Sequence, residues 1–121
     1  MKMLVLLVLL AALPAAVPDI SGVWKVDGAI QDNPVTPTCT LKQTEAKLSG
    51  SCKMDSDQVS DLSDVTGEVK GKDVTWQFSL KYEGTTYTLT FNGTLDSETS
   101  MKGSITVNPS DTDGDFTAKK Q

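Results

Sequence analysis

The sequence predicts an all-β protein, an eight-stranded antiparallel up-and-down β-barrel, and three observations carry that prediction. The first is the stretch Val74 to Thr94. Folded at Glu83-Gly84, it sets Val74 opposite Gly93, Trp76 opposite Phe91, Phe78 opposite Leu89 and Leu80 opposite Tyr87. The apolar side chains then share one face, and Thr75, Gln77, Ser79, Thr86, Thr88, Thr90 and Asn92 share the other. This period of two is the signature of a half-buried strand, and a slip of one residue would turn every aromatic to the polar side. The second observation is that the same alternation recurs in short runs, each hairpin-linked to the next. A barrel of such strands has no free edge, whereas a two-sheet sandwich would show Greek-key crossovers with longer connections. The third is the glycine punctuation of the apolar face, at Gly22, Gly50, Gly67, Gly93 and Gly103, which suits crowding inside a narrow barrel.

Residues 1–16 read as a signal peptide. Lys2 is followed by an unbroken apolar run from Met3 to Leu13 and then by small residues, with cleavage expected after Ala15 or Ala16. The run is too short to span a bilayer. Residues 17–121 form the single expected domain. Strand one is Asp19 to Val26, with Ile20, Gly22, Trp24 and Val26 on one face. Asp27 to Pro37 is rich in turn formers and reads as a loop. Strands two and three make the hairpin Thr38 to Cys52 around Glu45-Ala46, which sets Leu41 opposite Gly50 and Cys39 opposite Cys52. Cysteines directly opposite on neighbouring strands are within bridging reach, and an exported chain keeps such a bridge, so a Cys39–Cys52 disulfide is expected. Its loop is short, and it should stabilise the fold by about 3 kcal/mol at most. Glu-Ala is a poor turn pair, lacking the usual Gly or Asn.

Met54 to Asp64 reads as a solvated acidic loop. Its aspartates match no calcium-loop spacing, and no glycine supplies the sharp turn. Strand four, Val65 to Val69, turns at Lys70 to Asp73 into strand five and sets Gly67 opposite Trp76, leaving volume for the indole. Strands five and six are the hairpin already described. Strand seven, Met101 to Val107, returns through Asp96 to Thr99 so that Met101 faces Leu95, Gly103 faces Gly93, Ile105 faces Phe91 and Val107 faces Leu89. Ser110 to Asp115 reads as a turn rather than a metal loop, because Pro109 stands where an EF-hand needs an acid. Strand eight, Asp115 to Lys119, points Phe116 and Ala118 inward. Asn92-Gly93-Thr94 is a glycosylation sequon on the outward face, of consequence in a eukaryotic source.

Composition narrows the function classes. The chain has 121 residues, a net charge of −5, no histidine and no arginine. An acidic chain without arginine lacks the basic surface that nucleic acid or anionic membranes require. Without histidine, the commonest general base and the commonest zinc ligand are both missing. No cofactor or metal is expected, and no catalytic constellation is present, so a non-enzymatic role is expected. An outer-membrane barrel would need longer strands and aromatic girdles at two levels, so membrane insertion is not expected. The candidate site is the barrel interior, lined by Trp24, Trp76, Phe78, Tyr87, Phe91, Met101 and Phe116. Such a face can hold one small ligand or fill the barrel with its own side chains.

Gly22-Val23-Trp24 on the first strand, after an export signal and ahead of seven meander strands, resembles the G-x-W start of the calycins, the lipocalins and avidins among them. Leu48-Ser49-Gly50, Val65-Thr66-Gly67 and Phe91-Asn92-Gly93-Thr94 are similar to motifs of small secreted bacterial barrel domains. The resemblance implies a secreted or periplasmic binding module, monomeric, holding a small hydrophobic ligand. The lipocalin arginine that covers the first-strand tryptophan has no counterpart here, and avidin-type biotin contacts do not carry over. A second resemblance is to periplasmic inhibitors of serralysin-type metalloproteases, also small disulfide-bearing barrels with a G-x-W first strand. It implies a secreted protein partner, engaged through Val17-Pro18-Asp19 and the loops. The cysteine spacing here is much shorter than in those inhibitors.

Overall fold

The computed structural model describes residues 18–121; the expected leader, residues 1–16, and Val17 lie outside the described residues. The elements are β1 (Gly22–Ile30), β2 (Asn33–Val35), β3 (Thr38–Thr44), β4 (Lys47–Lys53), β5 (Val59–Ser60), β6 (Val65–Lys70), β7 (Asp73–Tyr82), β8 (Thr85–Ser97), β9 (Ser100–Asn108) and β10 (Thr112–Lys120). Neighbours around the wall pair antiparallel throughout, and β10 returns to β1 over Trp24–Lys120 to Ile30–Gly114, which closes the sheet. The wall has eight staves, because two of them are built from two pieces. β2 and β3 both lie along β1, joined where the Val26 N–H donates to the Pro37 carbonyl at 3.0 Å. Proline has no N–H to give a ladder, which accounts for the interruption at Thr36-Pro37. β5 and β6 likewise share β7, bridged by the Ser63 N–H donating to the Ser79 carbonyl at 2.8 Å.

The expected register holds residue for residue in the central hairpins. Trp76 pairs with Phe91, Phe78 with Leu89, Leu80 with Tyr87, Gly93 with Gly103 and Ile105 with Phe91. Leu41 pairs with Gly50, and Cys39 with Cys52, which are joined by a disulfide. The expected loops need correction. Asp27 to Ile30 continues β1, and Asn33–Val35 is strand, so the supposed loop Asp27 to Pro37 shrinks to a two-residue turn at Gln31-Asp32 and the break before β3. Gly28, read as a turn former, is a buried wall residue whose missing Cβ leaves room for Ile105 and Phe116. Strand one starts at Gly22 rather than Asp19, and β10 starts at Thr112, so most of the expected turn before it is wall.

Gly67 also has a different cause from the one its sequence position suggests. A Cβ there would collide first with the Thr75 carbonyl oxygen, and then lie 2.8 Å from the Trp76 Cα. The glycine admits the close backbone approach of β6 to β7 more than it makes room for the indole. Gly93, like Gly28, makes room for side chains, since its Cβ would stand 2.9 Å from the Met101 Sδ and 3.1 Å from Phe116 Cζ.

Inside the wall the aromatics pack into one block. Trp76 stacks on Phe91 with centroids 4.9 Å apart and planes 4° from parallel, and Phe78 continues the stack at 5.9 Å. Phe116 meets Trp76 and Phe91 edge-on, at 79° and 80°. Offset and edge-to-face contacts of this kind are worth about 0.5–1.5 kcal/mol each beyond area burial. No polar or charged residue is buried among the described residues, and Val23 is the one exposed large hydrophobic. The apolar face therefore points inward, and the outer wall carries no band suited to lipid.

Candidate functional site

In an up-and-down barrel successive turns lie at alternate ends, and the two ends of this one differ in construction. One end carries the turns at Glu45-Ala46, Gly71-Lys72 and Glu98-Thr99 together with both termini of the described chain. It is sealed. Ile20, fully buried, crosses beneath β1, its carbonyl accepts the Trp24 indole N–H at 2.8 Å, and its own N–H donates to the Gln43 Oε1 at 3.0 Å. The Ser21 Oγ accepts the Gln43 N–H at 3.0 Å, so the N-terminal segment is tied to β3 by reciprocal bonds. The Asp19 carboxylate accepts the Ser21 N–H at 3.0 Å. That bond to the backbone, then one to the Ser21 side chain, hold Asp19 below the usual carboxylate range, with a smaller contribution from Lys120.

The other end carries the turns Gln31-Asp32, Glu83-Gly84 and Pro109 to Asp111, and the long connection Met54 to Asp64. Here the wall opens into a shallow apolar cup of about 370 Å³, largely open to solvent. The β1–β2 hairpin contributes Ile30 and Val35, the long connection Met54 and Val59, the β7–β8 hairpin Leu80, Tyr82, Tyr87 and Leu89, and the β9–β10 hairpin Val107. Besides the two tyrosine hydroxyls, polar groups enter at Gln31, Asn33, Ser110 and Thr112. Leu80, Leu89 and Val107 are almost fully buried and form the floor. Above them Ile30, Val35, Met54, Val59, Tyr82 and Tyr87 are only half-buried, as is Leu62 in the same connection. These are the partly buried hydrophobics that pack on the core, and all belong to this end. Tyr82 and Tyr87 face each other with centroids 6.5 Å apart, at 54°. The β4 ladder to β6 covers only Lys47 to Gly50, so β4 from Ser51 to Lys53 has no strand beside it on that side, and the long connection passes over that gap.

Of the seven residues expected to line a ligand site, Tyr87 borders the cup. Trp24, Trp76, Phe78, Phe91, Met101 and Phe116 lie deeper, in the packed block. The cup residues that sequence reasoning missed are Ile30, Val35, Met54, Val59 and Tyr82. Val59 and Leu62 had a readable signal, as isolated apolar residues in an otherwise acidic stretch. Pro18 and Asp19, the part of the expected N-terminal arm that is described, lie at the sealed end. A larger groove of about 520 Å³ crosses the outer wall, lined by Lys25, Asp27, Thr36, Asp55, Thr117 and Lys119. Apart from the buried Val26 its lining is charged or polar, Gln121 included, whereas that of the cup is mainly apolar. Among the described residues no group of three or more His, Cys, Asp or Glu is placed to hold a metal ion.

Fold and cup together define an eight-stranded antiparallel β-barrel, packed at one end and open at the other. No protein-family model matches the chain, and no curated protein does. Among solved structures it is similar to a redesigned β-barrel, b11L5F_LGL, at 17% identity and a TM-score of 0.61, covering 89% of this chain and 99% of that one. It is also similar to the redesigned β-barrel mFAP1 bound to DFHBI, at 16% identity and a TM-score of 0.54, and to EF1p2_mFAP2b bound to DFHBI, at 14% and 0.55. Each of these two matches covers 84% of this chain and 94% of the other. At these identities the likeness is one of fold.

Proposed function

We propose that this chain is a non-enzymatic, exported binding barrel, calycin-like in build, which holds one small apolar ligand in the open cup. The observation that carries the reading is the gathering of half-buried apolar side chains from three of the four connections at one end, above a buried apolar floor. A packed barrel has no need of such a rim, and concave apolar sites with a few polar groups are where small molecules bind. The similar barrels bound to DFHBI are consistent with a ligand in a barrel of this build. The disulfide is compatible with an oxidising compartment and so with export.

Both tryptophans lie in the packed block, so indole emission is a poor reporter of the cup. The test is a titration with Nile red, a neutral apolar dye, in the wild type and in a Tyr87→Glu variant. We expect saturable single-site binding in the wild type. The variant, which sets a carboxylate at a half-buried position of the rim, should lose that binding while keeping its circular dichroism. Absence of binding, or binding indifferent to that change, would overturn the reading. An inhibitor-like role through Val17-Pro18-Asp19 would operate from the opposite end, and deletion of residues 17–19 would abolish it while leaving dye binding intact.

A further inference from the structure

We infer that the cup selects cationic amphiphiles, molecules with an apolar body and a positively charged head, over anionic ones such as fatty acids. The inference rests on the reading of the cup as a ligand site and adds the charge of its ligand. Every connection around the mouth carries exposed carboxylates: Asp32 on the first, Asp57, Asp61 and Asp64 on the second, Glu83 on the third and Asp111 on the fourth. Asp113 follows just inside β10, while Asp55 is turned to the outer wall, where it accepts the Thr36 hydroxyl at 3.1 Å. The lysines near this end are Lys53 and Lys81, and Lys81 lies 3.7 Å from Asp61, which neutralises one of each. The sealed end is balanced differently. Lys42, Lys47, Lys70, Lys72, Lys102 and Lys120 stand there against Asp19, Glu45, Glu68, Asp73, Asp96 and Glu98. The excess negative charge of the described residues is therefore concentrated around the mouth rather than spread over the molecule.

The physics follows from the shape of the site. An apolar body seated on Leu80, Leu89 and Val107 leaves its head at the level of Tyr82, Tyr87 and the rim loops. A carboxylate head would sit among carboxylates with Lys53 the one unpaired lysine near this end, and an ammonium head would face an excess of carboxylates. The rim charges are exposed, so the effect is one of long-range, salt-screened potential and not of buried pairing. Like-charge juxtaposition at a mouth also slows entry, so discrimination extends to the association rate.

The experiment uses three ligands with one apolar chain: decylammonium, decanol and decanoate, each displacing Nile red. Decylammonium should displace the dye at roughly tenfold lower concentration than decanoate, with decanol between, a ratio expected for a few screened charges. The ratio should collapse between about 10 mM and about 1 M salt, over which the screening length falls from about 30 Å to about 3 Å. A combined Asp32→Asn, Asp57→Asn, Asp64→Asn and Asp111→Asn variant should lose the preference and still bind decanol; asparagine is chosen because it tolerates the positive φ at Asp32 and Asp111. Equal displacement by all three ligands, or a preference that ignores salt and the variant, would overturn the charge inference while the cup stands. If neither the dye nor decanol binds, the cup reading falls and this inference with it.

Discussion

The sealed half and the open half of this barrel share the same staves, yet the same alternation of side chains does different work in each. Towards the sealed end the inward positions are large and complementary: Trp24, Trp76, Phe91, Phe116 and Met101 interlock, Ile20 closes the base, and almost nothing inward is exposed. Towards the open end the inward positions shrink to Leu80, Leu89 and Val107, and the next layer up is only half covered. Barrel width is nearly constant for a given strand number, so the choice between a filled and a hollow section falls to side-chain volume. The lesson is that an apolar inward face does not define a pocket; here the pocket begins where the inward side chains cease to be fully covered.

A short series of substitutions can break or sharpen that contrast. The largest effect belongs to the packed half. Trp76→Ala should cost about 3–5 kcal/mol in denaturant unfolding, because the wall is closed and cannot collapse onto the void. Trp76→Phe should cost much less, because the indole N–H is buried with no acceptor among the described residues and the phenyl ring keeps the stack on Phe91. A small loss from the alanine variant would show that the section is not filled. Removing the Cys39–Cys52 bridge comes next, at about 3 kcal/mol for so short a loop, read as the shift in unfolding midpoint with the slope unchanged.

Gly67→Val should cost about 1–3 kcal/mol, as overpacked positions do, and Gly67→Ala should retain much of that loss because the collision is with the β7 backbone. If alanine proves harmless, the close approach of β6 to β7 is wrong. Tyr87→Ala, in the open half, should change stability by under about 1 kcal/mol, since the ring is half-buried, yet it should weaken dye binding several-fold. The smallest effect concerns Asp19. Its pKa is lowered in the folded state, so its contribution is complete above the unfolded value, and is lost as pH falls through the lower folded value. Asp19→Asn should therefore lower the melting temperature slightly at neutral pH and leave it unchanged near about pH 2, well inside the acid limit of carboxylate titration.

How much of this was legible in the sequence follows a related division. The long central hairpin, which runs through both halves, was readable to the residue, because strict alternation from Val74 to Thr94 and the Glu83-Gly84 turn leave one register. Cys39 and Cys52 were placed for the same reason. The rest of the open half was not, because its lining comes from hairpin ends and from the irregular stretch Met54 to Asp64, where no period sorts inward from outward. Tyr87 was found since it lies on a long strand; Met54 and Val59 were not, since their inward placement depends on where the connection crosses the wall. The turn formers of Asp27 to Pro37 misled for a related reason: residues suited to one tight turn made the flanking strand look like loop.

The central claim, a filled section beneath a hollow one, can be read in one spectrum. From residue 17 onward the chain has two methionines, Met54 at the cup and Met101 in the packed block. With methyl-labelled methionine, a saturating apolar ligand should shift the Met54 methyl resonance and leave that of Met101 in place. A shift of Met101 as large as that of Met54, or movement of neither while the ligand is bound, would contradict the division of the barrel described above.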